Sequence, residues 1–168
     1  MTMKPINIYL IIAIVLAGCN QKQKKENFQY ERVQENSSEV IQNNDSQNTI
    51  ILNSNDAMLF DKKVIKVNYG EKITLTLNHV GKIGKDFMGH NFVLLKKGVD
   101  VDDFAQKAIL ARDNEYIPEG DEIIVTTKML GGGESDTIVF DAPEPGKYIF
   151  ICTFPGHYQL MRGEFIVF

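Results

Sequence analysis

The chain has 168 residues, room for one domain of ordinary size and an N-terminal segment, which excludes a large multidomain enzyme. Apolar residues make up 43%, too many for a wholly disordered chain, and the net charge is −4 with no basic block beyond the first 25 positions, which argues against nucleic acid as a partner. Only two cysteines are present, Cys19 and Cys152, in such different surroundings that no disulfide framework is available.

Taken in chain order, positions 1–18 read as a signal segment rather than as fold. Lys4 supplies positive charge and Tyr9 to Leu16 form an unbroken apolar run. That run is too short for a permanent membrane helix, which needs about 20 residues, and it suits the apolar region of a secretory signal. Leu16-Ala17-Gly18-Cys19 resembles the lipobox of bacterial lipoproteins. The resemblance implies that Cys19 is acylated and becomes the first residue of an exported, membrane-anchored protein; an ordinary signal peptide with a chance cysteine is the alternative. Positions 19–47, comprising the lipidated Cys19 and a polar segment, are rich in Gln, Asn, Glu, Lys and Ser, and their few apolar residues keep no period. Such composition buries too little apolar surface to offset the entropy of ordering, so a flexible tether is expected, reaching about 30 Å on average.

From position 48 to 168 the pattern is β. Ile73, Leu75 and Leu77 alternate with Thr74, Thr76 and Asn78, and Ile65, Val67 and Tyr69 alternate with Lys66 and Asn68. Further strands are expected at Thr49–Asn53, Asn91–Lys96, Glu122–Lys128, Thr137–Phe140, Lys147–Cys152 and Glu164–Phe168, with Gly70, Gly98, Gly131 to Gly133 and Pro145-Gly146 between them. One stretch departs: Val101, Phe104, Ala105, Ala108 and Ile109 repeat at helical spacing behind Asp100, a suitable N-cap. These patterns imply an all-β Greek-key sandwich of about seven or eight strands with one helical insertion.

Chemistry concentrates in Tyr148 to Met161, a stretch without a charged residue that holds Cys152, His157 and Met161 in the spacing Cys-x4-His-x3-Met. A strand delivers the cysteine, Pro155-Gly156 turns the chain, and the histidine and methionine return toward it. Thiolate, imidazole and thioether suit copper in both oxidation states, and His90 is the best candidate for a further ligand. Each residue alone has a plainer role: a buried core cysteine, a packed methionine, a hydrogen-bonded histidine. Cys152 and His157 as nucleophile and base would leave Met161 and His90 unexplained, and zinc would favour more thiolates or a carboxylate.

The stretches Asn55-Asp56-Ala57-Met58, Leu77 to Gly81, Phe87 to Leu94, Thr127 to Gly131, Gly133-Glu134 with Asp136, and Cys152-Thr-Phe-Pro-Gly-His157 through Leu160-Met161 resemble azurins, a cupredoxin family. The resemblance covers the C-terminal domain, and the helical insertion at Asp100–Arg112 sits where azurins carry a helical flap. It implies His90, Cys152 and His157 as equatorial ligands of one type 1 copper ion, Met161 as weak axial ligand and the Gly89 carbonyl as distant opposite one. It also implies backbone hydrogen bonds from Asn91 and Phe154 to the Cys152 sulfur, an Asn91 side chain that braces the ligand loop, and a buried, non-ligating His79. Phe92 stands where azurins often have tryptophan, and the disulfide usual between their first strands has no cysteine to form it.

A one-electron carrier cycling Cu(II)/Cu(I), and not an enzyme, is therefore expected in the periplasm or cell envelope, held to a membrane by lipid on Cys19. His157 would be the electron port, and Met58, Met88, Phe154 and Pro155 would form an apolar docking patch for redox proteins such as c-type cytochromes or a terminal reductase or oxidase. A copper-binding carrier or resistance lipoprotein without electron transfer is the alternative.

Overall fold

A computed structural model describes residues 48–168; the expected signal segment at 1–18, Cys19 and the expected tether up to position 47 lie outside the described residues. Strand β4 (Lys72–His79) shows why the fold is a sandwich. Ile73, Leu75 and Leu77 point inward and are fully buried, while Thr74, Thr76 and Asn78 face partly outward. On one side β4 pairs in parallel with β1 (Thr49–Asn55), which is edged by the two-residue β2 (Leu59–Phe60). On the other it pairs antiparallel with β7 (Ser135–Asp141), giving a sheet ordered β2-β1-β4-β7.

The second sheet has five strands in the order β3-β9-β8-β5-β6: β3 (Val64–Val67), β9 (Arg162–Val167), β8 (Gly146–Ile151), β5 (Val93–Leu95) and β6 (Ile123–Thr126). Between the sheets lies one core, with Leu52, Leu75, Phe92, Leu94, Phe150 and Phe165 at its centre. Phe92 packs on Phe150 with ring centroids 5.3 Å apart and is fully buried, so the smaller ring fills its site.

Helix α2 (Val101–Leu110) starts where its cap predicts: the Asp100 carboxylate accepts the amides of Asp102 and Asp103, both at 3.0 Å. Its buried face presents Phe104 to Val93, Leu95 and Ile151, a second cluster on the outer side of the five-stranded sheet. With Leu94 facing the main core and Val93 and Leu95 facing the helix, β5 is buried on both sides and shows no alternation.

The described residues hold nine strands rather than seven or eight, because β2 is too short to leave a periodic signal. The expected strand at Asn91–Lys96 shrinks to Val93–Leu95, since Asn91 and Phe92 bond to Thr153 and Thr127. Two short helical turns, α1 (Lys85–Met88) and a 3-10 turn at Arg112–Asn114, are additional. An amide clasp joins the residue ahead of β1 to the residue after β3. Asn48 donates from Nδ2 to the Asn68 carbonyl (3.1 Å) and accepts the Asn68 amide at Oδ1 (2.8 Å).

Candidate metal centre

The loop from Cys152 to Met161 is closed by its own main chain. The Cys152 amide donates to the Met161 carbonyl (2.9 Å), the His157 amide to the Phe154 carbonyl (3.0 Å), and the Met161 amide to the His157 carbonyl (2.7 Å). Gly156 lies at φ +81°, the left-handed conformation that lets the chain turn after Pro155. Cysteine, histidine and methionine are thereby fixed relative to one another before any neighbouring strand contributes.

His90 comes from the other side of the site. Its main chain exchanges hydrogen bonds with Leu130 (2.9 and 2.8 Å), and Thr127 grips Phe92 by its amide and hydroxyl. The ring donates from Nε2 to the Asn55 carbonyl (2.9 Å), which leaves the Nδ1 lone pair facing the Cys152 sulfur at 3.9 Å. His157 Nδ1 faces the same sulfur at 3.8 Å. The donor atoms of His90, Cys152 and His157 lie within 4.8 Å of one another, and all three residues are buried.

This spacing suits a metal ion. A sulfur and a nitrogen donor at about 2.3 and 2.0 Å from a common ion, spread by 120°, stand about 3.7 Å apart. A thiolate with two imidazole nitrogens is also the donor set of a trigonal copper site, so the residues present fit copper chemically. Burial sets their charges. It pushes the Cys152 thiol up to about 12, against the pull of the Asn91 and Phe154 amides that point at the sulfur, and it pushes His90 and His157 down to about 4. At neutral pH both imidazoles are therefore uncharged, and a metal must displace the thiol proton on binding.

The remaining expected residues lie around this trio. The Gly89 carbonyl meets the Cys152 sulfur at 3.8 Å, and a Cβ at Gly89 would fall 2.7 Å from the Lys85 carbonyl and 2.8 Å from Phe154, so only glycine fits. Met161 is fully buried. The Asn91 side chain donates to the Thr153 hydroxyl and accepts the Thr153 amide, each at 2.8 Å, bracing the loop through two buried bonds. His79 is buried behind His90, with ring centroids 4.3 Å apart and planes 23° from parallel. Its Nδ1 accepts the Gly81 amide (3.1 Å), so its proton sits on Nε2, which donates to the Met88 carbonyl (2.9 Å).

His157 itself keeps only 4% of its surface exposed, and the Phe154 ring packs tilted against it with centroids 4.7 Å apart. Met58, Met88, Phe154 and Pro155 are half-buried. The resemblance gave no role to Phe87, which is 80% exposed beside Met88; its signal in sequence is an aromatic residue just ahead of Met88-Gly89-His90. Nor did it give one to the Asn55 carbonyl that orients His90.

Comparisons with known proteins agree with the geometry. The profile of the family described as copper binding proteins, plastocyanin/azurin family, matches residues 46–168. An azurin from Bordetella pertussis is 43% identical over 114 residues, 64% of this chain and 75% of that protein. One from Pseudomonas fluorescens biotype C is 40% identical over 120 residues, 68% of this chain and 93% of that protein. Among solved structures, dithionite-reduced auracyanin from the photosynthetic bacterium Roseiflexus castenholzii superposes with a TM-score of 0.66 at 38% identity, covering 72% of this chain and 97% of that one.

Proposed function

The chain belongs to the plastocyanin/azurin family of copper-binding proteins, and from that premise we propose that it is a one-electron carrier rather than an enzyme, working at a membrane surface outside the cytoplasm. The observation that carries this reading is the convergence of two imidazole nitrogens on one buried sulfur. When bound, copper supplies a Cu(II)/Cu(I) couple. The chain's own part is to keep the donors still. Cys152 is set by its amide bond to Met161, by two amides directed at its sulfur and by the Asn91–Thr153 brace. His90 is set by Asn55, and His157 by Phe154 and Met161. Donors with little freedom cannot follow the different geometries that the two oxidation states prefer, so little rearrangement accompanies each transfer. In this reading His90, Cys152 and His157 would hold the copper, with the Met161 thioether and the Gly89 carbonyl as its weak further ligands.

Burial of all three donors favours electron transfer over metal delivery, because a carrier that hands over its metal needs ligands its acceptor can reach. Electrons leave through the His157 edge, with Phe154, Pro155, Met58, Met88 and the protruding Phe87 forming an apolar face for a c-type cytochrome or a terminal reductase or oxidase. Cys19 carries the lipid that holds the protein to the membrane. Replacing Met88 by Lys or by Glu tests the face: electron exchange with a c-type cytochrome in stopped flow should slow for both while the copper spectrum is kept. Unchanged rates for both charges would place the exit elsewhere.

A further inference from the structure

Asp56 stands between β1 and β2, outside the donor set and the residues that brace it. Its carboxylate accepts the Lys82 amide through Oδ2 (2.8 Å) and the Ile83 amide through Oδ1 (3.2 Å), which ties the turn after β4 back to the start of the β1–β2 hairpin. Oδ1 also lies 4.0 Å from His79 Nε2. Gly81 makes room for this approach, because a Cβ there would collide with the Asp56 carboxylate and fall 2.7 Å from His79 Cε1. The His79 side chain is fully buried and that of Asp56 is 31% exposed, so solvent reaches the pair only from the carboxylate side. His79 in turn stacks on His90 and holds the Met88 carbonyl, one residue ahead of Gly89. A carboxylate thus lies 4.0 Å from a buried ring that stacks on the ring expected to bind copper. The Lys82 amide, helped by the Ile83 amide, holds Asp56 below the usual carboxylate range, so it is ionised at neutral pH.

We propose that Asp56 is a positioning residue of the metal centre that acts through His79, keeping that ring packed behind His90 and placing a fixed negative charge there that lowers the reduction potential of the copper. The inference rests on the copper-carrier reading. A thiolate and two neutral imidazoles give a site of zero net charge with Cu(I) and one positive charge with Cu(II). A nearby carboxylate attracts only the second, and partial shelter from solvent weakens the screening of that attraction. The single electron comes from a reduced one-electron donor, no bond is made or broken in the protein, and Asp56 keeps its charge throughout.

The test uses the full chain loaded with copper, with the potential read by spectroelectrochemical titration. Asp56→Asn should keep the visible spectrum, raise the potential and lower the ratio of Cu(II) to Cu(I) affinity several-fold. Asp56→Glu, which keeps the charge, should stay near the parent. Asp61→Asn removes a carboxylate from the same hairpin that, among the described residues, bonds to Asn53 and Lys62, and it should shift the potential far less. In the copper-free parent, 15N NMR should find the His79 proton on Nε2, and Asp56→Asn should change that ring's nitrogen shifts. An unchanged or lower potential in Asp56→Asn overturns the proposal, as does a shift of equal size in Asp56→Glu or Asp61→Asn. A parent that takes up no coloured copper overturns the copper reading itself, whereas a coloured parent with equal potentials in parent and Asp56→Asn removes only the role of Asp56.

Discussion

The ligand loop at 152–161 and the helical insertion at 100–122 both leave the five-stranded sheet, and they are held by opposite means. The loop begins with buried Cys152 and Thr153 and is fixed by amide–carbonyl bonds and the buried Asn91 brace. Helix α2 is anchored by Phe104, Ala105 and Ala108, while its outer face relies on exposed ion pairs of Lys107 with Asp103 (3.0 Å) and Glu122 (3.1 Å). Buried hydrogen bonds set one geometry, because losing any of them leaves a desolvated polar group. Surface ion pairs contribute little and tolerate change. The molecule places the first kind where donor atoms must not move, and the second where a helix only has to cover Val93 and Leu95.

Substitutions can break this contrast from either side. The largest effect belongs to the loop: Cys152→Ser should abolish intense visible absorption on adding Cu(II), because a hydroxyl cannot replace the soft sulfur donor. A coloured serine variant would move the site elsewhere. In the insertion, Phe104→Ala should cost about 3–5 kcal/mol in urea unfolding through the cavity it leaves, yet retain the copper spectrum. A changed spectrum would mean that the insertion helps to shape the metal site.

Copper-free protein should lose stability as pH falls through a window set by the ligand histidines. Burial holds His90 and His157 at about 4 in the folded state, while in the unfolded chain they titrate near 6.5. Between those values the unfolded chain binds protons that the folded one does not, so acid favours unfolding by up to about 1.4 kcal/mol per pH unit for each histidine. The histidine contribution itself is fully present above about 6.5 and fully lost below about 4. Urea melts of the apoprotein from pH 7.5 to 5, above most carboxylate titration, check the slope; a level profile would contradict buried, neutral ligand rings. The smallest effect returns to the insertion: Lys107→Ala should change stability by no more than about 0.5 kcal/mol, and a larger loss in the same melts would show that its ion pairs do more than a surface usually allows.

How legible each feature was in the sequence depends on how it is encoded. Ile73, Leu75 and Leu77 announce β4 because one face is dry and the other wet, and Asp100 announces α2 because a cap needs a short acceptor side chain. Strand β2 and helix α1 were invisible, since two and four residues cannot display a period. In the site, Cys152, His157 and Met161 stood out because one loop supplies them in a fixed spacing. The Asn55 carbonyl that orients His90 had no such signal, as every residue type carries a carbonyl. The nearness of Asp56 to His79 was hidden too, because it depends on the missing Cβ of Gly81 across two sheet-edge turns.

The most direct measurement is a titration of the copper-free protein with Cu(II), followed by visible absorption and EPR. One buried sulfur facing two imidazole nitrogens predicts one equivalent of copper, intense visible absorption and the small copper hyperfine splitting of a covalent thiolate site, with the colour lost on reduction and restored on oxidation without loss of metal. Weak absorption with the wide hyperfine splitting of ordinary Cu(II), or copper lost during a single redox cycle, would contradict the electron-carrier account.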